Sequence, residues 1–435
     1  MFERLRVPAV PRAYGAYGAY GALGTYWLFA MAVLAAAPAM ALGLGLSRQT
    51  ANTAVGLAAL FCGMLVWPAR KAAAQLGALR LAQAGLVVFI AGAVLAGAAP
   101  NGAVLLVGRA LQGASGAMVL PYVAWPAPAM IGMWAVAGPA ALLGGVLTSA
   151  LDWQWVFWLS LVVAGAALAL ISLAPPEPDN AAAATRSVQS VQVENEHYTP
   201  LILLVPGLLA LYAVLNQASG WDWSSARSLI LIAVAVFALA LFVRWEREHA
   251  EDPQLDPSPS PAAVFLLHFA VIAALYVFLT YLQAPEDGRG LPAVVAGLLA
   301  LPLTAGALAV HFYGNRLPAL PPMAGAALAV LGLVLTALTG LGSAAYYPLA
   351  VIGLAMTGAG LALGVRIADP HPAAGQLGAA FGIAVTGAVT SGILTPNPTA
   401  LGRATATALL VSAVVAALSV FVAAYTATSV GSRAE

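Results

Sequence analysis

The chain has 435 residues, of which 62% are apolar and only 8% are charged, against about 25% charged residues in an average soluble domain. With a mean hydropathy of +0.92, this composition excludes a water-soluble globule and predicts a polytopic membrane protein. The 17 basic and 16 acidic residues leave a formal charge of +1, which excludes nucleic acid as a partner. Cys62 is the one cysteine, so an internal disulfide and a cysteine metal cluster are excluded too.

Apolar stretches long enough to cross about 30 Å of hydrocarbon recur along the chain. Six lie near residues 22–46, 50–67, 73–98, 102–122, 125–150 and 153–173. Residues 175–199 are polar and are predicted to be a linker. Two more stretches lie near 200–217 and 228–244, and six further ones near 261–283, 291–313, 320–340, 345–366, 372–393 and 404–429. The sequence therefore predicts an all-α integral membrane protein with fourteen transmembrane helices.

Basic residues indicate the orientation, because short loops rich in Lys and Arg stay on the cytoplasmic side. If the amino terminus is inside, the predicted inside segments hold 12 of the 17 basic residues and the outside loops hold 4, with Arg109 inside a span. The sequence therefore predicts that both termini are cytoplasmic, in a bacterial cytoplasmic membrane.

The fourth span carries a polar stripe within an apolar helix. Arg109, Gln112, Gly113 and Gly116 share one helical face by their i, i+3, i+4, i+7 spacing. An arginine inside a membrane costs at least about 2.5 kcal/mol, so its side chain should point at protein or at a wet cavity. Two interpretations stay open: a cavity residue, and a structural arginine bonded to backbone carbonyls of neighbouring helices.

The fifth span contains Gly138-Pro139 followed by Gly144-Gly145. Small residues on one face let another helix approach closely, and the proline removes a backbone donor and bends the span. Tight packing explains the pattern, and a seam that seals one side of a central cavity is the functional interpretation.

These segments resemble the major facilitator superfamily, specifically its fourteen-span drug and proton antiporter branch. The resemblance covers nearly the whole chain, and its motifs occur in the family's order: Gly108–Gly113, Gly138-Pro139 with Gly144-Gly145, Trp153–Phe157, Gly220-Trp221, Tyr281–Gln283, Ala296–Leu298 and Gly378–Gly387. It implies an N-terminal six-helix bundle (1–174), a cytoplasmic linker (175–199), two inserted helices with a cytoplasmic loop (200–260) and a C-terminal six-helix bundle (261–435). The two bundles would rock about a midplane cavity.

The chain departs from this family where the family carries charge. Phe29 stands where the first helix commonly has an acid, and Gln75 lies nearest the place of the usual loop aspartate. No Asp or Glu falls inside a predicted span. A proton-coupled pump needs a group that titrates as its access alternates. The remaining candidates are His268, about seven residues into the ninth span, and Asp152 at a span end.

The predicted cavity residues are Arg109, Gln112, Asn216, Tyr276 and Gln283. A lining so poor in charge suits a hydrophobic or amphipathic organic compound. The leading hypothesis is therefore efflux of such compounds by alternating access, with protons as a further partner implied by the family. The alternative is a degenerate relative without proton coupling, acting as a facilitator, a scaffold or a cavity enzyme. No phosphate loop, metal-ligand spacing or nucleophile elbow occurs, so no cofactor, metal site or enzymatic activity is expected.

Overall fold

The computed structural model describes residues 11–122, 127–173, 199–217, 224–249, 261–285, 287–313, 322–339, 346–364, 371–397 and 399–431. These residues form fourteen α-helices and no strand, which confirms the all-α prediction. The helices are α1 (Pro11–Gly43), α2 (Arg48–Leu76), α3 (Ala78–Gly97), α4 (Gly102–Val119), α5 (Ala127–Ala150), α6 (Trp155–Leu173), α7 (Thr199–Gln217), α8 (Ala226–His249), α9 (Pro261–Gln283), α10 (Ala293–Tyr313), α11 (Pro322–Thr339), α12 (Tyr346–Gly364), α13 (Pro372–Leu394) and α14 (Leu401–Gly431). A short 3₁₀ turn, Leu120–Tyr122, extends α4.

Eleven helices in the described ranges are long and apolar enough to cross a membrane, and α5, α7 and α11 supply shorter apolar stretches. Local signals set several helix ends. Ser47 caps α2 by accepting from the Thr50 amide at 3.2 Å, and Asn101 caps α4 by accepting from the Val104 amide at 3.1 Å. Gly77 joins α2 to α3 with φ +89°, a conformation that favours glycine. The main difference from the predicted spans is α1, which begins at Pro11 and takes in the tyrosine-rich segment before residue 22.

The helices pack in two groups, α1–α6 and α9–α14. Two long contacts join the groups: α2 lies along α13, and α5 lies along α10. Glycines allow the close approach at both contacts. A Cβ on Gly63 of α2 would come within 2.7 Å of the Leu377 side chain of α13, and one on Gly297 of α10 would come within 2.6 Å of Leu142 of α5. The linker predicted at 175–199 lies outside the described residues except for Thr199, so the domain boundaries stay a prediction.

The inserted helices α7 and α8 pack on each other, and α7 also contacts α2 and α13. Asn216 near the end of α7 donates to the backbone carbonyl of Gln49 at 3.0 Å and to the Thr53 hydroxyl, both on α2. The outer face of α8 is apolar and exposed, with Ile230 at 63% and Phe237 at 68%. A face of this kind suits contact with lipid.

Candidate functional site

A small cavity lies where the two groups of helices meet. Its volume is about 20 Å³, room for a water molecule and not for an organic compound. The lining comes from α1, α2, α4, α9 and α13: Trp27, Ala30, Met31, Leu34, Val55, Ala58, Ala59, Arg109, His268, Ile272, Gly375, Gln376, Ala379 and Ile383. Most of these side chains are apolar. The structure therefore holds a small, largely apolar pocket at the interface.

Arg109 supplies the charged group of this cavity, as its position in the fourth span led us to expect. Its side chain is 2% exposed. Nε donates to the Ala54 carbonyl at 2.9 Å, one Nη donates to Gln112 Oε1 at 2.7 Å, and the other Nη lies 3.5 Å from the Val55 carbonyl. The two open interpretations of Arg109 are thus both seen: it holds α4 to α2 and it also lines the cavity.

The polar face of α4 is a close-packing face around Arg109. A Cβ on Gly113 would overlap the backbone carbonyl of Ala58 on α2. The same Cβ would lie 2.8 Å from the Phe61 side chain. A Cβ on Gly116 would lie 2.6 Å from the Tyr26 ring of α1. Glycine at both positions lets α4 sit directly on α1 and α2.

Tyr26 and Gln376 join the two groups of helices next to the pocket. The Tyr26 hydroxyl lies 2.9 Å from Gln376 Oε1 of α13, to which it donates, and 3.3 Å from the Ala58 carbonyl of α2. Both side chains are buried. Trp27 stands beside them, and its Nε1 has no hydrogen-bond partner among the described residues. The two ends of the Tyr26 to Gln376 bond belong to different groups of helices, so parting the groups at this point would break it.

His268 lines the same pocket from α9. Its side chain is 3% exposed, and Nδ1 lies 2.9 Å from the Val264 carbonyl one turn earlier. A carbonyl only accepts, so Nδ1 donates in this contact. The edge with Nε2 faces Gly375 of α13, where an added Cβ would lie 3.1 Å from that nitrogen. His268 therefore stands between α9, α13 and the cavity.

The small residues of α5 contact two different helices. The Gly138 amide donates to Thr304 Oγ1 of α10 at 2.8 Å. A Cβ on Gly145 would overlap the Ala293 carbonyl of α10, and one on Gly144 would overlap the Ala32 carbonyl of α1. Pro139 lies inside α5 directly after Gly138. The seam expected from the glycines is present, with Gly138 and Gly145 toward α10 and Gly144 toward α1.

Four hydrogen bonds join the two groups of helices, and we call them the inter-bundle bonds. They are Tyr26–Gln376, Asn52–Tyr276, Gly138–Thr304 and Ser149–Val294. The last two join α5 to α10, where Ser149 Oγ accepts from the Val294 amide at 3.1 Å near the start of α10. In all four bonds both partners are uncharged. The interface is therefore held by neutral bonds and close helix contact.

Three predicted cavity residues, and the proton-coupling candidate Asp152, lie away from the cavity. Tyr276 donates to Asn52 Oδ1 at 2.7 Å on the α2 side, and Gln283 donates to Leu279 of its own helix at 3.1 Å. Asn216 binds α2 from the inserted pair. Asp152 is exposed in the loop between α5 and α6, where its Oδ1 accepts from the next amide at 2.7 Å. None of these four residues lines the cavity, and neither does Gln112, which accepts from Arg109 beside it.

The sequence reasoning missed Tyr26, Asn52 and Thr304. Each is a polar side chain inside an apolar span, which is the signal that could have selected them. Carboxylates are absent from all the described helices except the end of α8, which carries Glu246 and Glu248. Among the described residues no group of three or more His, Cys, Asp or Glu could hold a metal ion.

Two groups of apolar helices that meet at a small pocket and at close-packed glycine contacts are typical of a multi-pass membrane transporter. Residues 19–396 match the family model of the Major Facilitator Superfamily, so the chain belongs to this family. The expectation from the motifs is confirmed at the level of the superfamily, and the fourteen helices are compatible with the fourteen-span branch.

Curated relatives include the quinolone resistance protein NorB of Staphylococcus aureus. The protein from strain MRSA252 is 27% identical over 345 residues, which cover 72% of this chain and 71% of the relative. The protein from strain Newman is 28% identical over 303 residues, which cover 64% of this chain and 62% of the relative. The match thus spans less than two thirds of the length of the second relative.

Solved structures show the same fold. The POT family transporter PepTSo, solved in meso, superposes with a TM-score of 0.57 at 17% identity and covers 98% of this chain and 99% of its own. A POT family transporter in complex with 5-aminolevulinic acid superposes with a TM-score of 0.58 at 13% identity, covering 97% of both chains. At these identities the likeness concerns the fold alone.

Proposed function

We propose that this protein exports hydrophobic or amphipathic organic compounds across a bacterial cell membrane by alternating access, as a member of the fourteen-span drug-antiporter branch. The observation that carries the proposal is the small interface pocket, with largely apolar walls and one guanidinium. The similarity to NorB supports efflux of drug-like compounds. The two bundles, residues 1–174 and 261–435, would part at one end while they close at the other. In this proposal the protein is a transporter and not an enzyme.

The proposed orientation places both termini in the cytoplasm. Its support is the distribution of 12 basic residues inside against 4 outside. In that orientation the Ser149 and Val294 bond lies near the outer surface, because α5 ends and α10 begins there. The end that opens to take up a compound would be the opposite, cytoplasmic one.

We propose that protons couple to transport through His268. An imidazole can take up and release a proton in the physiological range of pH, and this one lines the cavity. Facilitated movement without coupling is the second candidate, favoured by the absence of carboxylates from the candidate spans in the described ranges.

The test uses purified full-length protein in sealed liposomes that contain a lipophilic dye, with a pH gradient imposed. We compare the parent with His268→Gln, which keeps a polar side chain of similar size and cannot titrate. The matched control is His311→Gln, because His311 is exposed at the end of α10, away from the cavity. Coupling through His268 predicts dye movement that follows the gradient in the parent and the control and is indifferent to it in His268→Gln. Movement indifferent to the gradient in all three proteins would favour the facilitator, and no dye movement in any of them would contradict export.

A further inference from the structure

Arg109 carries a positive charge that the described residues do not neutralise. Its three acceptors are two backbone carbonyls and the amide oxygen of Gln112. Asp152 and Asp287 are the two acids whose side chains the structure describes, and both lie in loops. A charge buried to 2% exposure without a countercharge is costly. An anion brought to this guanidinium would relieve that cost.

The cavity indicates what kind of anion would fit. A guanidinium has five N–H groups, and three are accounted for by the named contacts. Trp27, 8% exposed, adds an indole N–H without a described partner. His268 and Gln376 are the other polar members of the wall, and the remaining side chains are apolar, with Met31, Leu34 and Ile272 among them. One guanidinium in a largely apolar wall without a described carboxylate suits one negative charge on an apolar body, and neither a multivalent anion nor a lipophilic cation.

We propose that the exported compound is an amphipathic monoanion, a carboxylate on an aromatic or aliphatic body, and that its carboxylate binds Arg109. This inference rests on the proposed export function and names its substrate class. Two N–H groups of a guanidinium match the two oxygens of a carboxylate, so the pair forms a charge-assisted double hydrogen bond. Because the cavity of about 20 Å³ has no room for the compound, binding belongs to a conformation in which the two bundles have parted.

The binding test uses the full chain in nanodiscs of neutral phosphatidylcholine, so that no anionic lipid competes for the site. The probes are pyrenebutyrate, its methyl ester and the corresponding pyrenebutyl amine, which share one aromatic body and differ in charge. Binding is read as energy transfer from tryptophan to pyrene, with protein-free discs subtracted. We expect the carboxylate to bind about tenfold or more tightly than the ester, the ratio that hydrogen bonds to a charged group provide, and the amine to bind most weakly.

Three variants assign the preference to one side chain. In Arg109→Gln the acid-to-ester ratio should fall to within about twofold, and Arg109→Lys should keep part of the parent ratio. Arg80→Gln is the matched control, because it removes a guanidinium from an exposed position on α3 outside the cavity. It should keep the parent ratio. If Arg109→Gln does not fold, the comparison of the three probes in the parent and in Arg109→Lys still tests whether the carboxylate binds Arg109.

Two outcomes overturn the inference: ester or amine binding in the parent as tight as acid binding, or an acid preference that survives in Arg109→Gln. Movement of the same probes into liposomes separates this inference from the export function. Movement of ester and amine without preference for the acid contradicts the inference and leaves export standing. Acid binding that depends on Arg109, with no movement of any probe, supports the site and contradicts export.

Discussion

Replacing Thr304 with valine tests whether the seam between α5 and α10 holds the closed conformation. Thr304 Oγ1 accepts from the Gly138 amide at 2.8 Å, and its side chain is 5% exposed. Valine has nearly the same shape and removes the acceptor. In the closed conformation the amide is then buried without this partner, at a cost of about 1–3 kcal/mol.

The cost falls on one conformation only. When the two bundles part at this seam, water reaches the Gly138 amide in the parent and in Thr304→Val alike, so the open conformation is unaffected. A penalty of about 1–3 kcal/mol on the closed conformation shifts the ratio of open to closed molecules by roughly 5- to 150-fold toward open.

Hydrogen exchange of the peptide that contains Gly138, measured by mass spectrometry in lipid nanodiscs, reads this ratio. We expect exchange in Thr304→Val to be faster by roughly 5- to 150-fold. The control is Thr336→Val, because the Thr336 hydroxyl donates to Gly332 of its own helix at 2.8 Å and not across the seam. The reasoning is wrong if Thr304→Val exchanges at the parent rate, or if Thr336→Val accelerates this peptide equally.

Two further predictions concern the same interface. Gly145→Ala should lower the melting temperature of the purified protein by several degrees, because its Cβ would overlap the backbone carbonyl at the start of α10. Gly165→Ala should leave the melting temperature unchanged, since its Cβ would meet open space. An equal fall in melting temperature in both variants would contradict the close packing inferred for this seam. Tyr276→Phe should cost about 1 kcal/mol in a denaturant titration, because the bond to Asn52 is lost. Tyr212→Phe, which removes a hydroxyl without a partner among the described residues, should cost less, and the opposite order would refute the assignment.

Hydropathy predicted the spans because a membrane helix is selected by length and apolar content. The cost of a cation that faces lipid predicted that Arg109 points at protein or at a wet cavity, and the sequence left open which of the two. The sequence could not predict which face of α9 lines the cavity. Nearly all of its side chains are buried, so the helix shows no amphipathic pattern that would indicate which polar residue faces the cavity. His268 turned out to face it, whereas Tyr276 faces α2.

The pairing of residues across the bundles is also beyond sequence patterns. Tyr26 and Gln376 are 350 positions apart, and Asn52 and Tyr276 are 224 apart. Neither pair shares an element or a periodicity, so only the packing of the two bundles brings them together. Asn216 is a further example. The sequence predicted that it lies within the membrane, but it belongs to the inserted helix α7 and bonds to α2 away from the cavity.

The strength of the inter-bundle bonds sets how readily this protein changes conformation. A neutral hydrogen bond contributes about 0.5–1.5 kcal/mol net, so the four named bonds contribute roughly 2–6 kcal/mol to closure. Reversing a two-state population from 1:99 to 99:1 takes about 5.5 kcal/mol. A bound compound that pairs with the buried guanidinium and covers apolar surface only in the open conformation can supply a difference of this size. Neutral bonds therefore suit a protein whose conformation is set by what occupies its cavity.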